Sequence, residues 1–410
     1  MNKIIIGLSL FLVSSLCFGQ TAANENLKYR RSSIYTIMID DSNMKYGSIV
    51  RDNFINSPIP DKFDDHTLGF RTIPSNEVNK DDPNSIIQYL NSKNVARDLV
   101  SKWFSRSENG GFNMELIKDR GSYDASVLDI TVAKASKRGL NMLYDSGEEL
   151  IKNTFVLVNS FSYTDKEEVA AKVNTRGAAV SGGLRLLSYL PGGGALSKAA
   201  NVVDIARTAA VVVGKGFTEK TNAYLFRLKW NDEIAAIFYE NYWCTNETAS
   251  NFHRTLFEQS NLFELEYIGT DVSWADVQST AFTNKTNEDL VLRTAVKSVD
   301  HVISKLQKNH DEFKTKTPIF SGEPLAAKIG LKEGIEKDTK FAVLEQRVDD
   351  EGKTFYKEMG VVKVDTGYPI WDNRYGAKED NPNDYTEKTY FKPVSGGPFY
   401  EGMLLLQKKF

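Results

Sequence analysis

Thr154–Phe161 reads TFVLVNSF, a run of β-branched and aromatic residues with no face given over to water. A strand of that composition is buried on both sides, so it lies inside a sheet that carries a layer of structure on each face. A second run, Tyr224–Trp230, alternates: Tyr224, Phe226, Leu228 and Trp230 share one side, and Leu225, Arg227 and Lys229 the other. Pairing the two runs forces the roughly 60 residues between them into an excursion. Ser33–Ile39 (SIYTIMI) has the same strand composition and stops at the turn cluster Asp40-Asp41-Ser42-Asn43.

Elsewhere in this half of the chain the apolar spacing is mostly helical. Val95, Leu99 and Trp103 fall on one face of a helix within Ser92–Phe104. Further helices are expected at Ala125–Tyr144, from Trp230 to Tyr242, and over Asn287–Phe313, where Leu290, Ala295, Val299, Val302 and Leu306 carry the apolar face. Phe112–Ile117 alternates like a half-buried strand, Phe263–Ile268 is strand-like, and Ser57–Pro83 reads as loop with short extended pieces. After Pro318 the texture changes to short runs at Ala326–Ile329, Lys340–Leu344, Phe355–Val364 and Met403–Gln407, with Asp349-Asp350-Glu351-Gly352 as a hairpin turn. The fold class is therefore read as α+β, or mixed α/β. An N-terminal α/β domain at 20–317 carries a helical insertion at about 173–221, and a small β-barrel or sandwich fills 318–410. A chain of 410 residues accommodates that division.

The insertion is rich in glycine, alanine and valine. From Ala195 to Val213 the polar residues Ser197, Asn201, Asp204 and Thr208 form a narrow stripe, and Ala199, Val203, Ala206, Ala210 and Val213 lie opposite. Lys198, Asp204 and Arg207 each oppose burial in a bilayer by about 2.5 to 3.5 kcal/mol, which disfavours spanning. Two readings remain: an Ala-rich helix packed closely on its own domain, or a surface helix for a membrane or a partner. On the first, Ala199, Val203, Ala206 and Ala210 are the contact residues.

The N-terminus runs from Lys3 through an apolar stretch, Ile4–Val13, to the small and polar Ser14–Gln20. This is the order of a secretory signal, expected at 1–19 with cleavage after Gly19. Leu16 stands where a lipid-attachment site needs a small residue before Cys17. Of the two cysteines, Cys244 alone then remains; beside Tyr242 and Trp243 it reads as a buried, inert thiol. The 51 basic and 54 acidic residues give a net charge of −3 with both signs interspersed, which argues against a nucleic-acid partner.

Catalytic and ligand motifs fail on inspection. Lys45 in Asp41–Lys45 and Pro382 in Asp380–Pro382 stand where calcium loops need oxygen ligands. Ser197 precedes Lys198 where a phosphate loop needs glycine, and Gly216 follows Gly214-Lys215 where it needs Ser or Thr. The four histidines, His66, His253, His301 and His310, show no zinc-helix spacing, and there is no Gly-x-Ser-x-Gly elbow. No metal or cofactor is expected. A carboxylate pair of the glycosidase kind leaves no local signature and stays open. The one polar cluster beside an aromatic platform is Trp371-Asp372-Asn373-Arg374, read either as an interaction site or as a strand end whose Asp caps a turn while its Trp packs on the barrel. The terminal Phe410 is that of an outer-membrane barrel strand, but Lys408 breaks the alternation.

Phe112-Asn113-Met114-Glu115-Leu116-Ile117-Lys118-Asp119-Arg120, followed by a helix and the strand at Thr154, resembles the α/β periplasmic domain of the curli secretion lipoprotein family. Gly330–Phe341 is similar to the start of the C-terminal β domain of flagellar assembly protein T. The resemblance implies a role in envelope assembly or scaffolding. The expected function is accordingly a non-catalytic cell-envelope protein, periplasmic or associated with the outer membrane. Its partners would be an envelope protein or a second copy of itself, with peripheral membrane contact. The alternatives are a secreted hydrolase acting on glycan through unrecognised carboxylates, and a membrane-inserting protein that uses the Gly/Ala-rich segment.

Overall fold

The computed structural model describes residues 32–60, 62–123, 150–165, 216–278, 286–348 and 354–408. The signal at 1–19, the helix at Ala125–Tyr144, the insertion as far as residue 215 and the turn at Asp349–Gly352 lie outside the described residues.

The chain forms two sheets. The first is mixed. At its centre β1 (Ser33–Asp40) is flanked on one side by β2 (Asp64–Asp65) and β3 (Thr72–Pro74), and on the other by β4 (Thr154–Asp165), β5 (Gly216–Leu228) and β6 (Leu265–Gln278). β1 and β4 run parallel from Ser33↔Thr154 to Ile39↔Ser160, and β4 and β5 antiparallel from Phe155↔Arg227 to Asp165↔Phe217. The inner strand read from Thr154–Phe161 and its partner at Tyr224–Trp230 are both present. Both are longer than the apolar runs, and β5 takes Gly216–Thr221 out of the expected insertion. The added residues are largely polar on both faces, so hydrophobic pattern could not reveal them.

Helices cover both faces, as an inner strand of this kind requires. On one face Val156, Val158, Tyr224, Phe226 and Leu228 pack with α2 (Pro83–Ser92), α3 (Val95–Trp103), α5 (Asp232–Asn241) and α6 (Asn251–Glu258), through Leu90, Leu99, Trp103, Phe238 and Phe257. On the other, Phe155, Leu157, Ala223 and Leu225 meet Val302 and Leu306 of α7 (Asn287–Asn309). Beside them Met38 and Phe161 meet α1 (Gly47–Asn56) through Val50 and Phe54. Val95, Leu99 and Trp103 are all buried, as their spacing predicts.

Two expectations need correction. Phe112–Ile117 is not a strand: the chain turns at Asn113, whose side-chain oxygen accepts the Glu115 N–H at 3.0 Å, and α4 (Glu115–Tyr123) begins there. An apolar run this short fits either period, and the local Asn hydrogen bond decides. The helix expected to reach Phe313 stops at Asn309. His310 is extended, and a 3-10 turn at Asp311–Phe313 sets the Phe313 ring 5.1 Å from Phe63 and 4.9 Å from Phe155. The start of α7 is a capping box, Thr286 and Asp289 each bonding the other's backbone N–H.

The second sheet is a curled antiparallel half-barrel. Its strands are β7 (Thr317–Pro318), β8 (Ser321–Gly322), β9 (Leu325–Ala327), β10 (Lys340–Val348), β11 (Thr354–Val364), β12 (Thr389–Gly396) and β13 (Leu404–Gln407), in the order β7-β13-β10-β11-β12-β9-β8. Only Ile319 and Phe320 separate the edge strands β7 and β8 in sequence, so the sheet nearly closes on itself. Its interior is filled by Ile319, Phe341, Val343, Val362, Phe391 and Leu405. β12 escapes the sequence pattern because Pro393 interrupts it; the strand tolerates that proline at a register shift opposite Val362.

Candidate functional site

The loop from Asp365 to Lys388, between β11 and β12, carries Trp371-Asp372-Asn373-Arg374 and a short helix, α8 (Ala377–Asp380). The tetrapeptide anchors this loop. The Trp371 carbonyl accepts the Leu331 N–H at 2.9 Å, and the Trp371 N–H donates to the Thr389 hydroxyl at 3.2 Å. The Asn373 amide accepts from the Lys332 N–H at 2.8 Å and donates to Glu333 at 2.8 Å, and Glu333 also accepts the Gly330 N–H at 2.6 Å. A Cβ at Gly330 would overlap the Trp371 carbonyl, so the approach depends on glycine. Asp372 accepts the Arg374 N–H and its guanidinium, which holds the Asp372 carboxyl below its usual range. Asp372 thus caps a turn, as in one part of the second reading, but Trp371–Asn373 lies within the loop and not at a strand end. Ala199, Val203, Ala206 and Ala210 lie outside the described residues.

Around that anchor the loop displays aromatic rings. Tyr368, Tyr375 and Tyr385 are exposed, and Tyr368 lies against Tyr390 of β12 with ring centroids 4.3 Å apart. On the side facing α7, Arg293 is clasped by Glu379 and Asp380. Sequence reasoning singled out the anchor and missed the tyrosines; the signal available was the length of the connection between β11 and the next strand, which the unread β12 concealed.

A second cluster, also missed, is buried beneath α7. Glu219 of β5 faces the helix with no exposed surface. One carboxyl oxygen accepts from the Thr221 hydroxyl at 3.1 Å, and the Tyr163 and Ser298 hydroxyls also face the carboxyl. Thr221 shares a short hydrogen bond with Ser298 of α7, and the Ser273 hydroxyl of β6 donates to the Ser298 carbonyl at 2.8 Å. Burial pushes the Glu219 carboxyl up to about 8, so it carries a proton at neutral pH. Burial, with Glu219 beside it, raises the Tyr163 hydroxyl well above its ordinary range. Continuing the Tyr224–Trp230 alternation backward places Glu219 on the Leu225 face, which is the signal that could have found it.

Burial also raises Asp98, but Asp98 stands on α3, across the sheet from Glu219, so these two carboxyls do not form a pair. His66 is buried and stacked on Trp103 at 4.8 Å; its Nε2–H donates to the Leu99 carbonyl and its Nδ1 accepts from Arg120. Burial and the adjacent Arg120 keep it neutral, its pKa far below the ordinary value. Cys244 is buried and unpaired, and burial raises its thiol above the ordinary value, as expected for an inert thiol. Among the described residues no three His, Cys, Asp or Glu side chains converge as a metal site, and no helix is long and apolar enough to cross a membrane. A cleft between α7 and the second sheet, lined by Lys62, Gln307, Lys314 and Glu333 above Phe341 and Leu405, has room for roughly one water.

Comparison with known proteins found no matching family model and no matching curated relative.

Proposed function

We propose that this chain is a non-catalytic envelope protein that binds another protein of the envelope through the 365–388 loop of its second sheet. The observation that carries the proposal is the loop itself. A connection of this length with little regular structure of its own is uncommon in a compact domain and is usually functional. This one is pinned at Trp371–Arg374 and at Glu379–Asp380, and it presents Tyr368, Tyr375 and Tyr385 to solvent. Tyrosine is enriched at protein interfaces because its ring buries a large area while its hydroxyl stays satisfied. Pinning the loop before binding lowers the ordering entropy that a partner must overcome. The N-terminal sequence supports export, and the resemblance of Gly330–Phe341, which holds the anchor's counterpart, supports an assembly role.

A photo-crosslinking residue placed at Tyr385 in cells is expected to give a discrete protein adduct, and the same residue at exposed Asn56 on α1 none. Equal labelling at the two positions, or none at either, rejects the proposal.

A further inference from the structure

α7 belongs to both halves of the molecule. Leu290, Val291, Ala295, Val302 and Leu306 seat it on the first sheet. From the same helix Arg293 holds Glu379 and Asp380, Asp300 lies 3.6 Å from Lys332, and Ser304 abuts Gly334, all in the second sheet's connections. Whatever loosens α7 on the first sheet therefore loosens the docking of the second.

We infer that α7 is a proton-held latch, which keeps its seat over the first sheet and its hold on the second while the Glu219 carboxyl beneath it retains its proton. The geometry of the cluster carries this. Tyr163 faces Glu219 from β4, Thr221 from β5 and Ser298 from α7, Ala275 of β6 pairs with it across the sheet, and the Val50 and Phe54 cluster of α1 packs against Tyr163. None of these groups is cationic. Asp165 and Asp40, farther along the same face, are matched by Lys45 at 3.1 Å and Arg51 at 3.5 Å and bring no net positive charge. Lys297 of α7 acts on Asp372 in the second sheet's loop. When Glu219 gives its proton to solvent, the buried carboxylate is left facing only the neutral hydroxyls of Tyr163, Thr221 and Ser298, with no cation to offset its charge. Opening α7 hydrates it, so ionisation favours the open state.

The sign follows from linkage. Glu219 holds its proton more tightly when covered than when exposed, so the closed state is favoured fully below the ordinary carboxyl range, and that advantage is lost as pH rises towards about 8. Between those limits the opening constant grows about tenfold per pH unit and then levels off.

Hydrogen exchange of the full-length protein, corrected for the intrinsic pH dependence of exchange, tests this. In the wild type, protection of α7, of Leu331–Gly334 and of Glu379–Asp380 should fall together by about tenfold per pH unit between pH 6 and 8, while β1 keeps its protection. Glu219→Gln should flatten that profile. Identical profiles in the two proteins overturn the latch. If Glu219→Gln does not fold, infrared spectroscopy of the wild type decides: a protonated-carboxyl band present at pH 7 and lost near pH 8 supports the latch, and no such band at pH 7 overturns it.

Discussion

In the first sheet β4 has helices against both faces, and the side chains that lead into it, from Phe155 to Val158, are wholly buried. The second sheet curls around its own interior instead, and its outer side and long loop remain partly in water, with Phe355, Tyr368, Tyr375, Tyr385, Val394 and Tyr400 exposed. The contrast separates two kinds of aromatic residue. Those packed against the first sheet, around Phe104 and Phe238, are in contact on all sides and act as core. Those on the outer side and loop of the second sheet, such as Tyr385, keep much of their surface in water. Among the described residues six of the ten large exposed apolar side chains belong to the second sheet and its loop, while Ile55, Phe252, Leu256 and Tyr267 are spread over the first region, so the proposed recognition surface lies where such groups are most numerous.

The largest expected effect lies in the first region. The Phe104 ring is fully buried among Phe112, Trp230, Phe238, Tyr239 and Trp243. Phe104→Ala should destabilise the protein by about 3 to 5 kcal/mol in urea denaturation. If the first sheet loosens while β10–β13 keep their exchange protection, the two regions are separate units. Joint loss would break the comparison, because α7 would then be coupling them fully.

How much of this was legible follows the same division. Runs such as Thr154–Phe161, and faces such as Val95, Leu99 and Trp103, are apolar at a fixed period, and burial of that pattern is what folds them; they could be read directly. β12 and the first residues of β5 are held by backbone pairing with neighbours far along the chain, and the alternation of their side chains is carried by polar residues or cut short at Pro393. The anchor at Trp371–Arg374 was visible as a local cluster, but its role was not. That role is set by Gly330–Glu333, forty residues away in sequence for the Asn373–Glu333 pair. Glu219 was hidden for a related reason: a single acidic residue inside a polar stretch looks solvated until the strand is known to continue through it.

An intermediate effect is expected at the anchor. Gly330→Ala forces a methyl group against the Trp371 carbonyl and the Asn373 amide. Overpacking of this kind should lower stability by about 1 to 3 kcal/mol. It should also release the 365–388 loop, seen as new proteolytic cleavage within that loop in native protein. Destabilisation without new cleavage would mean that α8 and Arg293 hold the loop unaided.

The smallest effect on stability, and the most informative about function, is expected at Tyr385. Its side chain is 84% exposed, so Tyr385→Ser removes almost no buried surface and should change stability by no more than about 0.5 kcal/mol. If the displayed rings are the contact surface, a change that leaves the fold alone should still abolish partner capture. The readout is a photo-crosslinking residue at Tyr375, on the same pinned loop, compared with and without Tyr385→Ser. Loss of the adduct at an unchanged melting temperature assigns recognition to the tyrosines. An undiminished adduct would show that the exposed rings of the second sheet are as dispensable as they are unburied, and the distinction drawn between the two regions would then concern packing alone.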